Sequence, residues 1–394
     1  YMKNISYHDS LYAPFGGFLL NEDSFSAILL KKRYTSVVYC PDHEEREPGA
    51  MYPRAIVLEH NGENNGKILA TFECYTNKTP VFPIYESYDN ARSWKLTGQV
   101  EDNEKQFGCR YQPHLYEMPC DSGKLTEGTI LCAGNIIPDD FSSTSLMLYK
   151  SSDCGKSWEY LSEIVNGGRA DVDMKTDEKR PVWEPFLITD EKGVLYCFYS
   201  DEQYLDSENY NQALFHKKST DGGQTWSEAV VDIAFSDGLL RPGMPVIAKI
   251  AGNKYIMVYE MVNQDRVPVY FRISDSLDDW GELDFIGNPV IAANGSYISG
   301  TPYVTWVPYG GKEGTILISG RGFSHIIANS CGGKGFWEEM DELLPVDNHY
   351  GFSGYSQCLL PICGNRKLLN LCPINMSQNK AMISAVVADM YERL

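Results

Sequence analysis

The chain has 394 residues, of which 43% are hydrophobic and 22% charged, the composition of a folded globular protein. Its 53 acidic residues outnumber 34 basic ones, which gives a formal net charge of −19. A negative field of this size repels nucleic acid and anionic membrane surfaces, so we expect neither as a partner.

The first residues and the cysteines bear on the cellular compartment. The opening YMKNISYHDS is polar and lacks the apolar centre of a signal peptide. This favours a cytoplasmic location, with secretion expected only if a leader precedes the sequence. The cysteine count is odd, 11, and many of the cysteines lie in apolar runs, which favours buried thiols over a disulfide framework. No CxxC pair or His/Cys cluster is present, so we expect no metal and no other cofactor.

One pattern recurs along the chain about every 60 residues, the repeat length of propeller blades. Each unit has an aromatic residue, Arg or Thr near its start, an apolar strand, a turn and a second apolar strand. The six units begin at Tyr52, Tyr111, Trp183, Arg241, Thr301 and Tyr355. We therefore predict an all-β fold: one six-bladed β-propeller over residues 1–394 with four-stranded antiparallel blades. An N-terminal strand at about residues 34–40 would complete the last blade. The segments Ser24–Lys31 and Trp337–Leu344 predict short helices.

A second repeat, Ser-x-Asp-x-Gly-x-Ser/Thr-Trp, lies in phase with the first. It is intact at residues 219–226, nearly intact at 151–158, without its Gly at 87–94 and a remnant at 274–280. The Asp caps backbone amides of a tight turn, the Gly adopts a positive φ, and the Trp packs on the sheet. We interpret Asp89, Asp153 and Asp221 as turn residues and not as catalytic groups.

Two glutamates are placed to share one site. The start of a blade's first strand and the end of its antiparallel second strand lie on the same face, near the axis. Glu184 begins the first strand of the third blade, and Glu260 ends the second strand of the fourth. Apolar neighbours would desolvate both carboxyls and raise their pKa. For either glutamate alone, an ion pair with an arginine is the competing interpretation.

Further residues on this face are candidates for contact with a substrate. Tyr355 begins the first strand of the sixth blade, close to Gly351 and Gly354. The other candidates are polar or aromatic: Arg54, His114, Trp183, Asp201, Arg241, Tyr303 and Arg321. Arginines bind hydroxyls or keep a carboxylate charged, and aromatic rings offer flat faces to sugars. Each candidate has a structural alternative, which is an ion pair or core packing.

Several motifs resemble glycoside hydrolase family 93, and the Asp boxes resemble the wider sialidase-like superfamily. The segments that carry the resemblance are Trp183–Leu187, Tyr196–Asp201, Gly243–Pro245 and Lys254–Glu260. It implies a retaining exo-α-1,5-L-arabinanase that releases arabinobiose from linear arabinan. It also implies that Glu184 is the acid/base, Glu260 the nucleophile and Tyr355 a supporting tyrosine. A retaining enzyme needs its two carboxyls about 5–5.5 Å apart. We expect a monomer with an oligo- or polysaccharide substrate.

Two alternatives remain open at this point. A sialidase, or another exo-glycosidase, would use Tyr355 with Glu260 as nucleophile and three arginines, Arg54, Arg241 and Arg321, as a carboxylate clamp. The sequence offers no Asp acid in an early loop, which disfavours the sialidase. A non-catalytic carbohydrate-binding propeller is also compatible with the fold, but a binder has no need for paired, desolvated carboxyls.

Overall fold

The structure is a computed structural model that describes residues 27–42, 49–75, 79–170, 180–321, 325–340, 343, 353–377 and 380–393. The opening residues, on which the expected location depends, lie outside these ranges, as does the start of the helix predicted at Ser24. The extent of a single domain over all 394 residues stays a prediction.

Six four-stranded antiparallel sheets form the blades of a propeller, which confirms the predicted fold class. Blades one to five each use four consecutive strands, from the innermost outward. They are β2 (Ala50–Val57), β3 (Ile68–Cys74), β4 (Phe82–Ser87) and β5 (Lys95–Val100); β6 (Cys109–Glu117), β7 (Ile130–Ile136), β8 (Thr144–Ser151) and β9 (Glu159–Gly167); β10 (Val182–Thr189), β11 (Leu195–Asp201), β12 (Ala213–Ser219) and β13 (Val230–Ile233); β14 (Pro242–Ile250), β15 (Lys254–Met261), β16 (Val269–Ser274) and β17 (Asn288–Pro289); β18 (Ser299–Val307), β19 (Thr315–Arg321), β20 (Ile327–Asn329) and β21 (Glu338–Glu339).

The sixth blade joins the two ends of the described chain. From the axis outward it comprises β22 (Cys358–Ile362), β23 (Lys367–Ser377), β24 (Lys380–Glu392) and β1 (Ile28–Tyr39). β1 pairs antiparallel with β24 and starts before the predicted segment at residues 34–40. This pairing covers an edge of β24 that would otherwise be exposed.

Both predicted short helices are wrong where the structure describes them. Ile28 and Leu30 are buried while Leu29 and Lys31 are exposed, and this period of two belongs to a strand. Residues 338–339 form β21 within the other segment. The described residues contain one four-residue α-helix, α1 (Leu205–Glu208), and two 3₁₀ turns, Gly62–Asn64 and Ala251–Asn253. None of these helices could reach across a membrane.

The second strands form the centre of the core. Every residue of β3, β7 and β11 is buried, because each of these strands is covered on both faces by neighbouring blades. All 11 cysteines are free, and those on the inner strands, such as Cys132 and Cys197, are fully buried. They pack as small apolar side chains, as the sequence predicts.

The Asp boxes are turns between the third and fourth strands, which confirms their structural interpretation. In blade three, Asp221 Oδ1 accepts hydrogen bonds from the backbone N–H groups of Gln224 and Thr225, both at 3.0 Å. Its Oδ2 accepts one from Thr225 Oγ1 at 2.6 Å. Asp89 and Asp153 make the equivalent bonds in blades one and two.

The degraded boxes use different contacts. Asp278, in the remnant of blade four, accepts hydrogen bonds from Tyr196 Oη at 2.9 Å and Lys218 Nζ at 2.8 Å, so it ties its turn to blade three. In blade five, Asn329 Oδ1 accepts the N–H groups of Cys331 and Gly333 and replaces the usual serine. The sequence pattern missed this fifth turn because Asn329, Cys331 and Phe336 stand where the motif has Ser, Asp and Trp.

Candidate active site

A left-handed residue lies at the inner end of the first strand in every blade. The six residues are not glycines, and their φ angles run from 40° to 63°: Tyr52, Gln112, Glu184, Met244, Thr301 and Ser356. In blades one to five a shift in register between the first two strands spans this residue. Such a bulge redirects a side chain, and a strained backbone of about 1–3 kcal/mol per residue is typical of functional sites. One end of the propeller axis is therefore the functional face.

The bulges leave backbone N–H groups that bond to the preceding blade. Gln112 N donates to Glu73 Oε1 at 2.7 Å, and Glu184 N donates to Gln112 Oε1 at 3.0 Å. Met244 N donates to Glu184 Oε2 at 2.6 Å. Thr301 N donates to Glu260 Oε2 at 2.5 Å. Carboxylates therefore serve as links between neighbouring blades.

The last two links close the ring. Ser356 N donates to Thr301 Oγ1 at 3.0 Å. Arg54 Nη2 donates to Ser356 Oγ at 2.9 Å, and its Nη1 to the Ser356 carbonyl at 3.1 Å. We call the set of hydrogen bonds from Gln112 round to Arg54 the interblade ring. It fixes the backbone on which both predicted catalytic glutamates stand.

Glu184 lies on the bulge of blade three with two donors on one oxygen. Ser200 Oγ and Met244 N both reach Glu184 Oε2 at 2.6 Å. Burial raises the pKa of the Glu184 carboxyl, and these two hydrogen bonds oppose that shift. Ser200 stands opposite Trp183 in the β10–β11 pair, beside the bulge that carries Glu184. The bulge therefore turns the Glu184 carboxyl toward its donor, Ser200.

Glu260 lies in blade four, directly opposite Gly243 in the β14–β15 pair. Burial and the neighbouring Glu184 charge raise the pKa of Glu260 to about 7, while the Thr301 N–H, Arg241 and Arg321 act in the opposite direction. A carboxyl of this kind keeps a proton near neutral pH.

The two glutamates border the same small space beside Gly243. A β-carbon at position 243 would lie 3.6 Å from Glu260 Oε1 and 3.7 Å from Glu184 Oε2. Those two oxygens are therefore at most about 7 Å apart, a bound that is compatible with the roughly 5–5.5 Å carboxyl separation of retaining glycosidases. The predicted meeting of Glu184 and Glu260 on one face is thus seen in the structure.

An apolar cluster forms the floor of the site on the axis. Met51 and Tyr52 of blade one meet Met244 of blade four, and Tyr75 and Tyr355 pack against them. Burial, together with nearby carboxylates of which Glu260 is the first, holds the pKa of Tyr355 well above its usual range. Tyr355 is therefore a neutral phenol beside the carboxyls.

Solved structures with this architecture identify the family. An α-L-arabinofuranosidase of Fusarium graminearum, solved with arabinobiose, is 33% identical over 93% of this chain and 98% of its own, with a TM-score of 0.80. An α-L-arabinanase of Penicillium chrysogenum, also solved with arabinobiose, is 31% identical over 93% and 98%, with a TM-score of 0.79. The Fusarium enzyme is assigned to glycoside hydrolase family 93. This chain belongs to glycoside hydrolase family 93.

Membership of family 93 confirms that the protein is a glycoside hydrolase. No protein-family model matches the sequence, and no curated protein does. A Trypanosoma rangeli sialidase is 12% identical over 90% of this chain and 60% of its own, with a TM-score of 0.54. This similarity shows the propeller fold alone. The non-catalytic propeller is set aside, because the relatives that show the family are enzymes.

Two of the three arginines of the sialidase alternative are already engaged in this family 93 chain. Arg54 is 2% exposed, stacks on Tyr52 at 3.9 Å and is bonded into the interblade ring. Arg241 Nη2 pairs with Glu202 Oε1 at 2.5 Å. Arg321 lies over the ring of Tyr355 at 5.5 Å. The arginines therefore do not stand as three free donors around one point.

The other predicted substrate residues fall into two groups. Trp183 is partly exposed at the face, and its Nε1 donates to Glu202 Oε1 at 2.9 Å, beside Arg241. By contrast, His114, Asp201 and Tyr303 are buried. His114 Nδ1 accepts the Leu187 N–H at 3.1 Å, and burial holds its pKa well below the usual range, so the ring is neutral. A direct role for any of them in substrate binding stays a prediction.

Several polar residues of the site are not among those predicted from the sequence, and Glu73, Gln112 and Glu202 are three of them. Glu73 and Gln112 belong to the interblade ring, and Glu202 joins Trp183 to Arg241. The position of Glu73 could have been predicted from the sequence, because Glu73 lies at the end of the second strand of blade one as Glu260 does in blade four. Gln112 and Glu202 had none, since their roles depend on bulges and on a loop.

Proposed function

We propose that the protein is a retaining exo-α-1,5-L-arabinanase that releases arabinobiose from linear arabinan and arabino-oligosaccharides. The observation that carries the proposal is the pair of carboxyls, the half-buried Glu184 and the buried Glu260, that border one space beside Gly243. Two family relatives solved with arabinobiose support the choice of sugar. A neutral glycan also suits a chain of net charge −19.

In the first half of the proposed reaction, Glu260 is the nucleophile. Its carboxylate attacks the anomeric carbon while the glycosidic C–O bond breaks, and Glu184 gives its proton to the departing oxygen. The result is a glycosyl-enzyme on Glu260. The second half reverses the roles: Glu184 takes a proton from water, the water oxygen attacks the anomeric carbon, and Glu260 leaves as a carboxylate.

This assignment requires the proton of the carboxyl pair to be on Glu184 when the glycosidic bond breaks. In the free protein Glu184 accepts two hydrogen bonds and Glu260 one, and donors of this kind favour the charged carboxylate. The pair therefore has to pass its proton to Glu184 when a glycosidic oxygen arrives. Hydrogen bonds at catalytic groups commonly rearrange when substrate binds.

Product analysis on linear α-1,5-arabinan tests the proposal. The wild type is expected to release arabinobiose from the start of the reaction, with retention of anomeric configuration by NMR. Glu184→Ala and Glu260→Ala are expected to lose this activity. Glu191→Ala is the matched control, because Glu191 is an exposed glutamate in the turn after β10, where it pairs with Lys249 of β14. Absence of arabinobiose from every arabinan substrate, or inversion of configuration, contradicts the proposal.

A further inference from the structure

Glu73 occupies in blade one the place that Glu260 occupies in blade four. It stands opposite Met51 at the end of β3, as Glu260 stands opposite Gly243 at the end of β15. Blade order follows the chain, so blades one and four face each other across the axis. Glu73 is therefore a third carboxyl on the functional face, and the reaction proposed above does not use it.

The carboxyl of Glu73 is fully engaged by two donors. Tyr75 Oη donates to Oε2 at 2.6 Å, and Gln112 N donates to Oε1 at 2.7 Å. The side chain is 4% exposed, and burial raises the pKa of Glu73 to about 7 against the effect of these donors. Each oxygen of the Glu73 carboxyl thus accepts one hydrogen bond.

Gln112 continues the connection to Glu184. It is left-handed, with a φ of 56°, and its backbone N–H is held by Glu73. Its side-chain Oε1 accepts the N–H of Glu184, which is itself left-handed with a φ of 63°. Two strained bulges in adjacent blades are thus held in series, and a strained backbone persists only where its surroundings hold it.

We propose that Glu73 is a positioning residue for the acid/base of this enzyme. It holds the Gln112 bulge, Gln112 holds the Glu184 bulge, and the Glu184 carboxyl is thereby aimed at the glycosidic oxygen. The inference rests on the proposed role of Glu184 as acid/base. It requires an acceptor at position 73, which Gln supplies and Ala does not.

The first test compares two leaving groups. A 2,4-dinitrophenolate departs without a proton, whereas the alkoxide of an arabino-oligosaccharide needs one. A misplaced acid therefore slows glycosyl-enzyme formation from the oligosaccharide and not from the dinitrophenyl arabinobioside. A 1 Å misplacement costs on the order of 10²-fold in rate. We expect Glu73→Ala to lose roughly that factor in kcat on arabinotetraose, with little change in KM. On the dinitrophenyl arabinobioside its rate of glycosyl-enzyme formation should stay close to that of the wild type. Glu73→Gln should recover most of the loss.

A double-variant cycle tests the route through Gln112. If Glu73 acts through Gln112, the loss on arabinotetraose in Glu73→Ala/Gln112→Ala equals that of the more damaging single variant. Additive losses would mean that Glu73 acts on the substrate directly and would overturn the inference. Glu86→Gln is the control, because Glu86 is a buried glutamate of the same blade that pairs with Lys67 at 3.1 Å. It should leave the ratio of the two rates unchanged.

Failure of the inference and failure of the proposed function give different results. If Glu184→Ala shows the selective loss but Glu73→Ala slows glycosyl-enzyme formation from both substrates equally, or from neither, the positioning role is wrong and the function stands. If the wild type cleaves neither arabinoside, the proposed function fails. If Glu73→Gln is as slow as Glu73→Ala, charge and not hydrogen-bond acceptance matters, and the positioning role is also overturned. Thermal unfolding of each variant shows that the fold is retained.

Discussion

Gly243 and Glu260 face each other across the first two strands of blade four, and the space in front of them is also bordered by Gln212. A β-carbon on Gly243 would lie 2.7 Å from Gln212 Nε2, a distance too short for any unrelaxed contact. The side chain of Gln212 is 1% exposed and donates to the Pro242 carbonyl at 2.7 Å. The absence of a side chain at 243 thus keeps both the carboxyl pair and its support in place.

Gly243→Ala is therefore expected to lower both activity and stability. The added methyl group must displace Gln212 and with it the bulge that presents Met244 N to Glu184, which we expect to cost on the order of 10²-fold in kcat/KM on arabinan. Overpacking of one methyl group costs about 1–3 kcal/mol in unfolding free energy. Kinetics and urea denaturation measure the two effects. The combined variant Gly243→Ala/Gln212→Ala should regain activity over Gly243→Ala alone; no gain would show that Gln212 is not the obstacle.

The roles of the two glutamates can be separated by azide. In Glu260→Ala no nucleophile remains, so azide attacks the anomeric carbon of an activated α-arabinoside and gives a β-arabinosyl azide. In Glu184→Ala the glycosyl-enzyme still forms, and azide then displaces Glu260 to give the α-azide. Proton NMR of the products distinguishes the two. The opposite pair of products would make Glu184 the nucleophile and Glu260 the acid/base. The two hydrogen bonds that Glu184 accepts in the free protein, which favour its charged form, would agree with that exchange.

The fold follows from the sequence more directly than the site does. Units of about 60 residues with Asp boxes in phase predict six blades because each box closes a hairpin between two strands. The helix prediction at Ser24–Lys31 is wrong because its short, unbroken apolar run at residues 27–30 fits a strand as well as a buried helix. The bulges that build the site have no sequence signal, since left-handed residues are usually Gly or Asn, and Glu184 and Thr301 are neither.

Glu260 is expected to make the fold less stable as the pH rises. Its folded pKa is about 7, above the usual 4.3 of an unfolded glutamate, so between these values the folded protein holds a proton that the unfolded chain has lost. Stability therefore falls as the pH rises through this window, by up to about 4 kcal/mol. Glu260→Gln removes the titrating group and can still accept the Thr301 N–H.

The measurement for Glu260→Gln is unfolding by urea at pH 4 and pH 8. The variant should be more stable than the wild type at pH 8, and the difference should shrink at pH 4. Glu191→Gln, an exposed control, should show no such change with pH. An equal difference at both pH values, or a less stable variant at pH 8, would contradict the expected linkage.

Asp221 is expected to stabilise its turn without any effect on catalysis. Partial desolvation opposes ionisation, yet hydrogen bonds from Thr225, Ser219 and Gln224 lower the pKa of Asp221 to about 2. Replacement by Ala removes these acceptors, and we expect a loss of about 1–3 kcal/mol in unfolding free energy, with kcat/KM unchanged at temperatures where the variant is folded. Asp275→Ala is the control, because Asp275 is an exposed aspartate of the remnant box that pairs with Lys254 at 2.8 Å. A fall in kcat/KM without a fall in stability would give Asp221 a catalytic role and contradict its assignment as a turn residue.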